Sequence, residues 1–316
     1  MKHSWQVSAV LLSIFLAAQV IGLFVVHSYV DSAASAAATK EAGKPVVIYH
    51  DLPYGVERPN IAPDISYIFI GAAVIIGTLL LLLIIKFRKL SLWKVWYLMA
   101  ITIALTVSLA SFLPKAAAAI ISIIIALFRV FRPNVLAHNI AELFIYGGIA
   151  AIFVPILNIK SAFILLILIS VYDFFAVFHL KHMVMLAKFQ TSNKIFAGLF
   201  VPKELSLKST FSPISESAAT AALPKGTKSS QHKPEADYSD SGGYAIVGGG
   251  DIAFPLLFAG AVLPAFGFLK TLIIPAFAAA ALAVLLSIGK KGKFYPAMPF
   301  IAVGCFVGYG ILHLIA

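Results

Sequence analysis

Charge and cysteine are scarce in this sequence. Charged residues make up 12% of the 316 residues, hydrophobic residues make up 61%, and the mean hydropathy is +0.97. Because soluble globular proteins do not approach this composition, it excludes a soluble enzyme and predicts an all-α polytopic membrane protein. The single cysteine, Cys305, excludes an intramolecular disulfide and leaves the redox compartment open.

Nine stretches of the sequence are apolar enough to cross a membrane as helices, which takes about 20 residues each. These are approximately Trp5–Val30, Ile65–Ile85, Val95–Leu113, Ala116–Phe131, Val135–Leu157, Ser161–Leu180, Gly243–Phe268, Leu272–Ile288 and Phe294–Ala316. Only Pro114 and Lys115 separate the third stretch from the fourth, so a single broken helix is a competing interpretation. We predict about nine transmembrane helices.

One long hydrophilic stretch, residues 181–242, divides the chain. We predict six transmembrane helices in residues 1–180 and three in residues 243–316, all within one integrated membrane domain. The second half of the loop is rich in Ser, Thr, Ala, Lys, Pro and Gly and is predicted to be disordered. Its first half contains Lys194–Pro202, which we interpret as a partly packed loop in preference to a cover over a site.

Basic residues are distributed unequally between the two sides of the nine predicted spans. Three quarters of the 24 lysines and arginines, including Arg129 at the end of the fourth span, fall on the side of the N-terminus. The positive-inside rule then predicts a multi-pass protein of the cell membrane with a cytoplasmic N-terminus and an extracytoplasmic C-terminus. The net charge of +11 is explained by topology and attraction to anionic lipid, so no nucleic acid partner is predicted.

Of the 13 acidic residues, only Glu142, Asp173 and Asp251 lie within predicted spans. Ionisable groups at membrane depth are candidate functional residues, because burying them is costly. Asp173 precedes the long loop and Asp251 follows it, each about two helical turns, or roughly 12 Å, from the cytoplasmic face. The two aspartates are therefore expected at matching depth on antiparallel neighbouring helices.

Two buried carboxyl groups at such a site cannot both ionise at low cost, so the pair holds one proton. The ionised member then takes a proton from water while the protonated member polarises a carbonyl group, as in aspartic proteases. This chemistry hydrolyses a peptide bond and requires neither a cofactor nor a metal.

The residues around Asp251 do not favour an ordinary helix. Each of Gly248, Gly249 and Gly250 lowers helix stability by about 1 kcal/mol relative to alanine and leaves room for another chain. Pro255 has no N–H with which to bond the carbonyl oxygen of Asp251. Close helix packing explains the glycines by themselves, but it does not explain an aspartate beside them.

Three motifs occur in an order that resembles the presenilin and signal-peptide-peptidase family of intramembrane aspartyl proteases. They are Tyr172-Asp173, Gly248-Gly249-Gly250-Asp251 and Pro296-Ala297-Met298, which match the Tyr-Asp, Gly-x-Gly-Asp and Pro-Ala-Leu motifs of that family. Met298 stands where the family has leucine, a residue of similar volume. The chain looks most like compact archaeal presenilin homologues.

The resemblance implies a presenilin-like fold in which Asp173 and Asp251 are the catalytic pair. It also implies that Tyr172, the three glycines and the proline motif (Pro296, Ala297 and Met298) bind substrate or shape the site. Substrates would be transmembrane proteins or signal peptides in the lipid bilayer, cleaved without accessory subunits. Because a helix shields its own amides, we expect a locally unwound substrate to pair as a strand with an enzyme backbone edge, near the glycines or the proline motif.

The main alternative is a proton- or cation-coupled transporter that uses the same carboxylates. An inverted repeat would place paired motifs in the two halves of the chain, and no counterpart of the glycine or proline motif precedes residue 160. Glu142 shares a helix face with His138, close to Asn139. We favour a structural polar cluster there over a metal site, because the residues offer only one imidazole and otherwise hard oxygen ligands.

Overall fold

The computed structural model describes residues 4–87, 90–132, 134–178, 197–202, 244–289 and 295–315. Most of the long loop, including the segment predicted to be disordered, lies outside the described residues. The helices are α1 (Trp5–Ser28), α2 (Ser32–Ala42), α3 (Ser66–Lys86), α4 (Leu90–Leu109), α5 (Lys115–Phe131), α6 (Val135–Phe153), α7 (Ile159–Phe178), α8 (Gly249–Phe266), α9 (Ile273–Ile288) and α10 (Met298–Ile315). A single helical turn, Phe268–Thr271, connects α8 to α9.

Within the described part of the chain, eight helical segments are long and apolar enough to cross a membrane. The apolar helix α5, with 17 residues, is slightly shorter than these eight. Together they confirm the prediction of about nine transmembrane helices. The helix α2 is short and lies in the loop between the first and second spans, where no helix was predicted.

The third and fourth predicted spans are two separate helices, not one broken helix. α4 ends at Leu109 and α5 begins at Lys115, and the two helices pack against each other. Pro114 caps the start of α5 in an extended conformation. A proline has no N–H and is pre-organised for the start of a helix, so this position terminates one helix and permits the next.

The seventh predicted span begins with a β-strand, so the predicted helical start at residue 243 is wrong. Strand β2 (Tyr244–Gly248) pairs in antiparallel register with strand β1 (Gly198–Pro202), with Gly198 opposite Gly248 and Pro202 opposite Tyr244. The strand sequences are rich in aromatic and β-branched residues, which favour extended backbone when a partner strand is available. Asp251 therefore lies in the first turn of α8, not two turns inside a helix.

Small residues allow the helices around α1 to approach closely. A Cβ atom on Gly148 of α6 would lie 1.8 Å from the carbonyl oxygen of Ala104 in α4, and a Cβ on Gly22 of α1 would lie 2.3 Å from Leu256 in α8. Such contacts are typical of membrane helices, where packing takes the place of the hydrophobic effect between helices. α1 packs against both α6 and α8.

Candidate active site

Asp173 lies near the C-terminal end of α7, and its side chain is 8% exposed. Its Oδ2 atom accepts a hydrogen bond of 3.1 Å from the backbone N–H of Met298, and the backbone of Ala297 also bonds to the carboxyl group. The first N–H groups of a helix have no partner within the helix and favour a negative charge. The start of α10 is therefore a built-in binding site for the Asp173 carboxyl group.

The Asp251 carboxyl group is also bound by the backbone at the start of a helix, in this case α8. Gly248 is the N-cap of α8, and Asp251 is the third helical residue. The Asp251 carboxyl group is hydrogen-bonded to the backbone of Gly248. This is the reciprocal half of a capping box, in which the third residue reaches back to the N-cap N–H group. The positive end of the α8 dipole further favours a carboxylate at this position.

The fold brings the two aspartates to one place. α7 packs against α8, and the two carboxyl groups are close enough to interact electrostatically. Among the described residues, no lysine or arginine forms an ion pair with either aspartate. Two carboxyl groups that interact in this way, without a neutralising cation, disfavour the state in which both are ionised.

The three glycines beside Asp251 have different surroundings. The Gly249 N–H donates to the carbonyl oxygen of Ala197 at 3.1 Å, and a Cβ atom on Gly249 would lie 2.8 Å from the Tyr146 hydroxyl. A Cβ on Gly248 would lie 3.3 Å from Oδ2 of Asp251, whereas one on Gly250 would touch only the Phe254 ring at 3.5 Å. Gly248 and Gly249 therefore allow neighbouring groups to approach the start of α8.

The proline motif lies beside Asp173, but it does not open the last helix with Pro296. Pro296 is buried and precedes α10, which begins at Met298 and has Pro299 as its second residue. The helix therefore begins four residues after Phe294, the predicted start of the ninth span. Pro299 needs no N–H partner in the first helical turn, and the Met298 N–H is left to bind Asp173. Tyr172 is half-buried next to Asp173 on α7.

Glu142 and His138 belong to a buried polar cluster that is distinct from the aspartate pair. Glu142 accepts hydrogen bonds from Arg129 and Tyr146, and Arg129 also contacts the Tyr97 hydroxyl at 2.5 Å and His138 Nδ1 at 2.5 Å. Glu142 is only 1% exposed. The described part of the chain contains no group of three or more His, Cys, Asp and Glu side chains able to bind a metal ion.

Sequence reasoning missed two buried polar residues, one in the cluster around Glu142 and one beside Asp251. Arg129, counted among the cytoplasmic charges, is buried in α5 at 4% exposure. Gln19 of α1 is fully buried and donates from Nε2 to the carbonyl oxygen of Ile252 at 2.8 Å, next to Asp251. The available signal for Gln19 was a polar side chain in the middle of an apolar run, which is costly in a membrane.

The helices and the paired aspartates define a multi-pass membrane protein with a carboxylate site between α7 and α8. Residues 45–316 match the sequence model of the family described as signal-peptide peptidase, presenilin aspartyl protease. The chain therefore belongs to this family of intramembrane aspartyl proteases. No curated protein matches the sequence.

Two solved structures have the same fold. The first is a presenilin family intramembrane aspartate protease in space group C222, with 18% sequence identity, a TM-score of 0.59, and coverage of 98% of this chain and 99% of that chain. The second is a presenilin family intramembrane aspartate protease in space group P2, with 20% identity, a TM-score of 0.56 and 97% coverage of both chains. At these identities the likeness shows the presenilin-family fold.

Proposed function

We propose that this protein is an intramembrane aspartic endopeptidase of the Gly-x-Gly-Asp type, with Asp173 and Asp251 as its catalytic residues. The main observation is that two carboxyl groups from neighbouring membrane helices lie within electrostatic range of each other, each held by the backbone at the start of a helix. This arrangement keeps both side chains oriented while leaving oxygen atoms for the reaction.

The mechanism follows from one shared proton. The ionised aspartate takes a proton from a water molecule, whose oxygen attacks the scissile carbonyl carbon, while the protonated aspartate donates its proton to the carbonyl oxygen. The tetrahedral intermediate collapses when the C–N bond breaks: the leaving nitrogen takes a proton from the protonated aspartate, and one hydroxyl group of the diol returns its proton to the other aspartate, which restores the dyad with one proton. The backbone groups of Met298 and Gly248 orient the two carboxyl groups.

The substrate would bind as a strand along the outer edge of β2. The Phe200 N–H and carbonyl groups bond to Asn139, so they point away from β2. Ile246 is opposite Phe200 and, in an antiparallel ladder, points its own N–H and carbonyl groups away from β1. Within the described residues the sheet has only these two strands, so this edge of β2 offers hydrogen bonds to an extended peptide.

A strand-bound substrate has a signature that a helical substrate lacks. Synthetic membrane peptides with one N-methylated amide at a time are incubated with the enzyme. Because alternate residues of a strand point their N–H groups toward its neighbour, we expect N-methylation near the cut site to block cleavage at every second position. Inhibition without a period of two would contradict strand pairing.

We infer that substrates are transmembrane proteins or signal peptides that reach the dyad from the lipid bilayer, without accessory subunits. The charge asymmetry supports a cytoplasmic N-terminus in the cell membrane. Cysteine-accessibility labelling tests this orientation with variants carrying a new cysteine at Ser4 or at Lys44. Labelling of intact cells at residue 4 and not at residue 44 would contradict it.

The central test compares wild type with Asp173→Asn and Asp251→Asn. Each purified protein is incubated with a labelled single-span membrane substrate, and the products are identified by mass spectrometry. We expect wild type to cut within the span and both folded variants to be inactive. Absence of cleavage across several substrates, together with an aspartate-dependent ion flux in liposomes, would replace this proposal with a transporter.

A further inference from the structure

The outer edge of β1 is covered by side chains of α6 instead of by a third strand. Asn139 donates from Nδ2 to the carbonyl oxygen of Phe200 at 2.6 Å, and its Oδ1 accepts from the Phe200 N–H at 3.0 Å. A side-chain amide has the same donor and acceptor as a peptide group. The two bonds to one residue therefore reproduce the hydrogen-bonded pair of an antiparallel ladder.

His138 adds a third bond at the same edge, and its neighbours define its tautomer. The Nδ1 atom faces Arg129 NH1 at 2.5 Å, and because a guanidinium group has only donors, Nδ1 is the acceptor. The proton is therefore on Nε2, which donates to the carbonyl oxygen of Gly198 at 2.7 Å. The His138 ring also packs edge-on against the Phe200 ring, with centroids 4.8 Å apart.

The rest of the polar cluster fixes these two side chains. Arg129 bonds simultaneously to His138, Glu142 and the Tyr97 hydroxyl, so it connects α4, α5 and α6. Glu142 also binds the Tyr146 hydroxyl, which lies close to Gly249 at the start of α8. Buried networks of this kind are costly unless all members are bonded, and they are rigid when they are.

We propose that Asn139 and His138 are positioning residues that replace a third strand on the outer edge of β1 and fix the register of the β1–β2 pair. They leave β2 as the edge that receives substrate. The effect on substrate rests on the proposed protease function, whereas the effect on the strand pair does not.

The register of β1 matters because β2 leads directly into the aspartate site. Leu199 and Val201 are opposite Val247 and Ala245, and the next residue of β2, Gly248, bonds to Asp251. Without β1 in a fixed register, β2 loses the partner that holds its outer edge in place beside the dyad. The protein would then place a different peptide bond beside the aspartates.

The experiment compares Asn139→Ala with Asn158→Ala as a matched control. Asn158 is also an asparagine with two side-chain hydrogen bonds, to Asp64 Oδ1 and from the Ser161 N–H, both at 2.7 Å, but these lie at the opposite end of α7 from Asp173. Amide hydrogen exchange is measured in residues 198–202 and 244–248, and the cleavage positions in a single-span substrate are determined by mass spectrometry.

We expect Asn139→Ala to raise amide exchange in both strands by about tenfold, equivalent to about 1.4 kcal/mol, and to spread the cuts to neighbouring peptide bonds. Asn158→Ala should change neither quantity, even if it lowers the thermal midpoint. General destabilisation reduces the amount of product without changing the ratio of cut positions. Wild-type exchange in the strands of folded Asn139→Ala would overturn the proposal, and unchanged cut positions would overturn its substrate half.

A second pair of variants keeps the test decisive if Asn139→Ala does not fold. In His138→Gln, the side-chain amide can accept from Arg129 and donate to Gly198, whereas His138→Leu can do neither. We expect wild-type exchange and cut positions for His138→Gln and altered ones for His138→Leu. If wild type cleaves no substrate, the proposed function fails, and the exchange measurements still decide whether the two residues hold the strand pair.

Discussion

The protein contains two regions with buried carboxyl groups, and they are stabilised differently. Glu142 is bonded to a guanidinium group and a phenol inside a network that joins three helices. Asp173 and Asp251 are bonded to backbone N–H groups at the starts of α10 and α8, and no described residue forms an ion pair with them. The first region places a charge beside its countercharge, and the second places two carboxyl groups beside each other.

This difference supports the proposal that Glu142 is a structural carboxylate and that the aspartate pair is reactive. A buried ion pair stabilises the ionised form and occupies the carboxylate oxygens, so Glu142 has little capacity to exchange protons with a substrate. Backbone N–H groups orient an aspartate without a full positive charge, and a second aspartate nearby disfavours double ionisation. Both regions are costly to bury, and the proposed function assigns proton transfer to the aspartate pair and a structural role to Glu142.

The largest expected effect is the loss of activity in either aspartate variant with little loss of stability. Asp173→Asn or Asp251→Asn should lower the cleavage rate by at least about 10³-fold, because in the proposed mechanism each carboxyl group takes part in proton transfer. The thermal midpoint in detergent should remain near that of wild type. Asp51→Asn, an exposed aspartate in the loop before α3, is the control and should cleave normally. Substantial activity in either dyad variant would refute the assignment.

Glu142→Gln is expected to show the opposite behaviour. Glu142→Gln removes the negative charge that balances Arg129, and the loss of one partner of a buried ion pair costs about 3–5 kcal/mol of stability. The double variant Arg129→Leu/Glu142→Leu should be more stable than Glu142→Gln, because it buries no lone charge. Thermal unfolding followed by circular dichroism measures the stability of the single and the double variant. Equal stability of the single and double variants would show that the ion pair is not the main source of the effect.

A smaller effect is expected from the packing that positions the start of α10. A Cβ atom on Gly304 would lie 2.5 Å from the carbonyl oxygen of Phe277, so Gly304→Ala should push α10 away from α9 and cost about 1–3 kcal/mol. The cleavage activity of Gly304→Ala should fall together with its stability, because α10 carries the N–H group that binds Asp173. Gly310→Ala in the same helix meets nothing within 4 Å and serves as the matched control. Equal effects of the two substitutions on Tm and activity would argue against this packing role.

The smallest effect is expected for Met298→Leu, which installs the residue that the family motif contains. Met298 is 3% exposed, and its contact with Asp173 comes from the backbone N–H. A substitution between residues of similar volume usually costs less than about 1.5 kcal/mol, so kcat/KM should remain within about threefold of the wild-type value. A much larger loss would show that the side chain, and not only the backbone, positions the dyad.

Several features of the candidate site follow from the sequence alone. Asp173 and Asp251 stand out because a carboxyl group is costly in an apolar stretch, and their positions on either side of one long loop predict a common depth. The polar cluster around Glu142 was also favoured over a metal site. Arg129 was misplaced because a basic residue near a helix end is usually solvated, whereas here Glu142 and Tyr97 from neighbouring helices surround it.

The strand pair shows why local pattern is insufficient. Tyr244–Gly248 continues the apolar run of α8, so hydropathy alone extends the helix through it. Its extended conformation depends on β1, which is separated from it by more than 40 residues along the chain. Hydrogen bonds between such distant segments leave no periodic signal in either segment. The same applies to Asn139, whose role depends on the position of Phe200.

Composition and residue order are enough to identify a polytopic membrane protein and to single out two aspartates and three short motifs, because transfer of apolar and charged groups into lipid depends on both. The position of Asp251 in the first turn of α8, the bond from the Met298 N–H to Asp173 and the bonds from α6 to the edge of β1 could be established only from the fold. Those contacts join residues far apart in the chain, and their geometry is set by the packing of the helices that carry them.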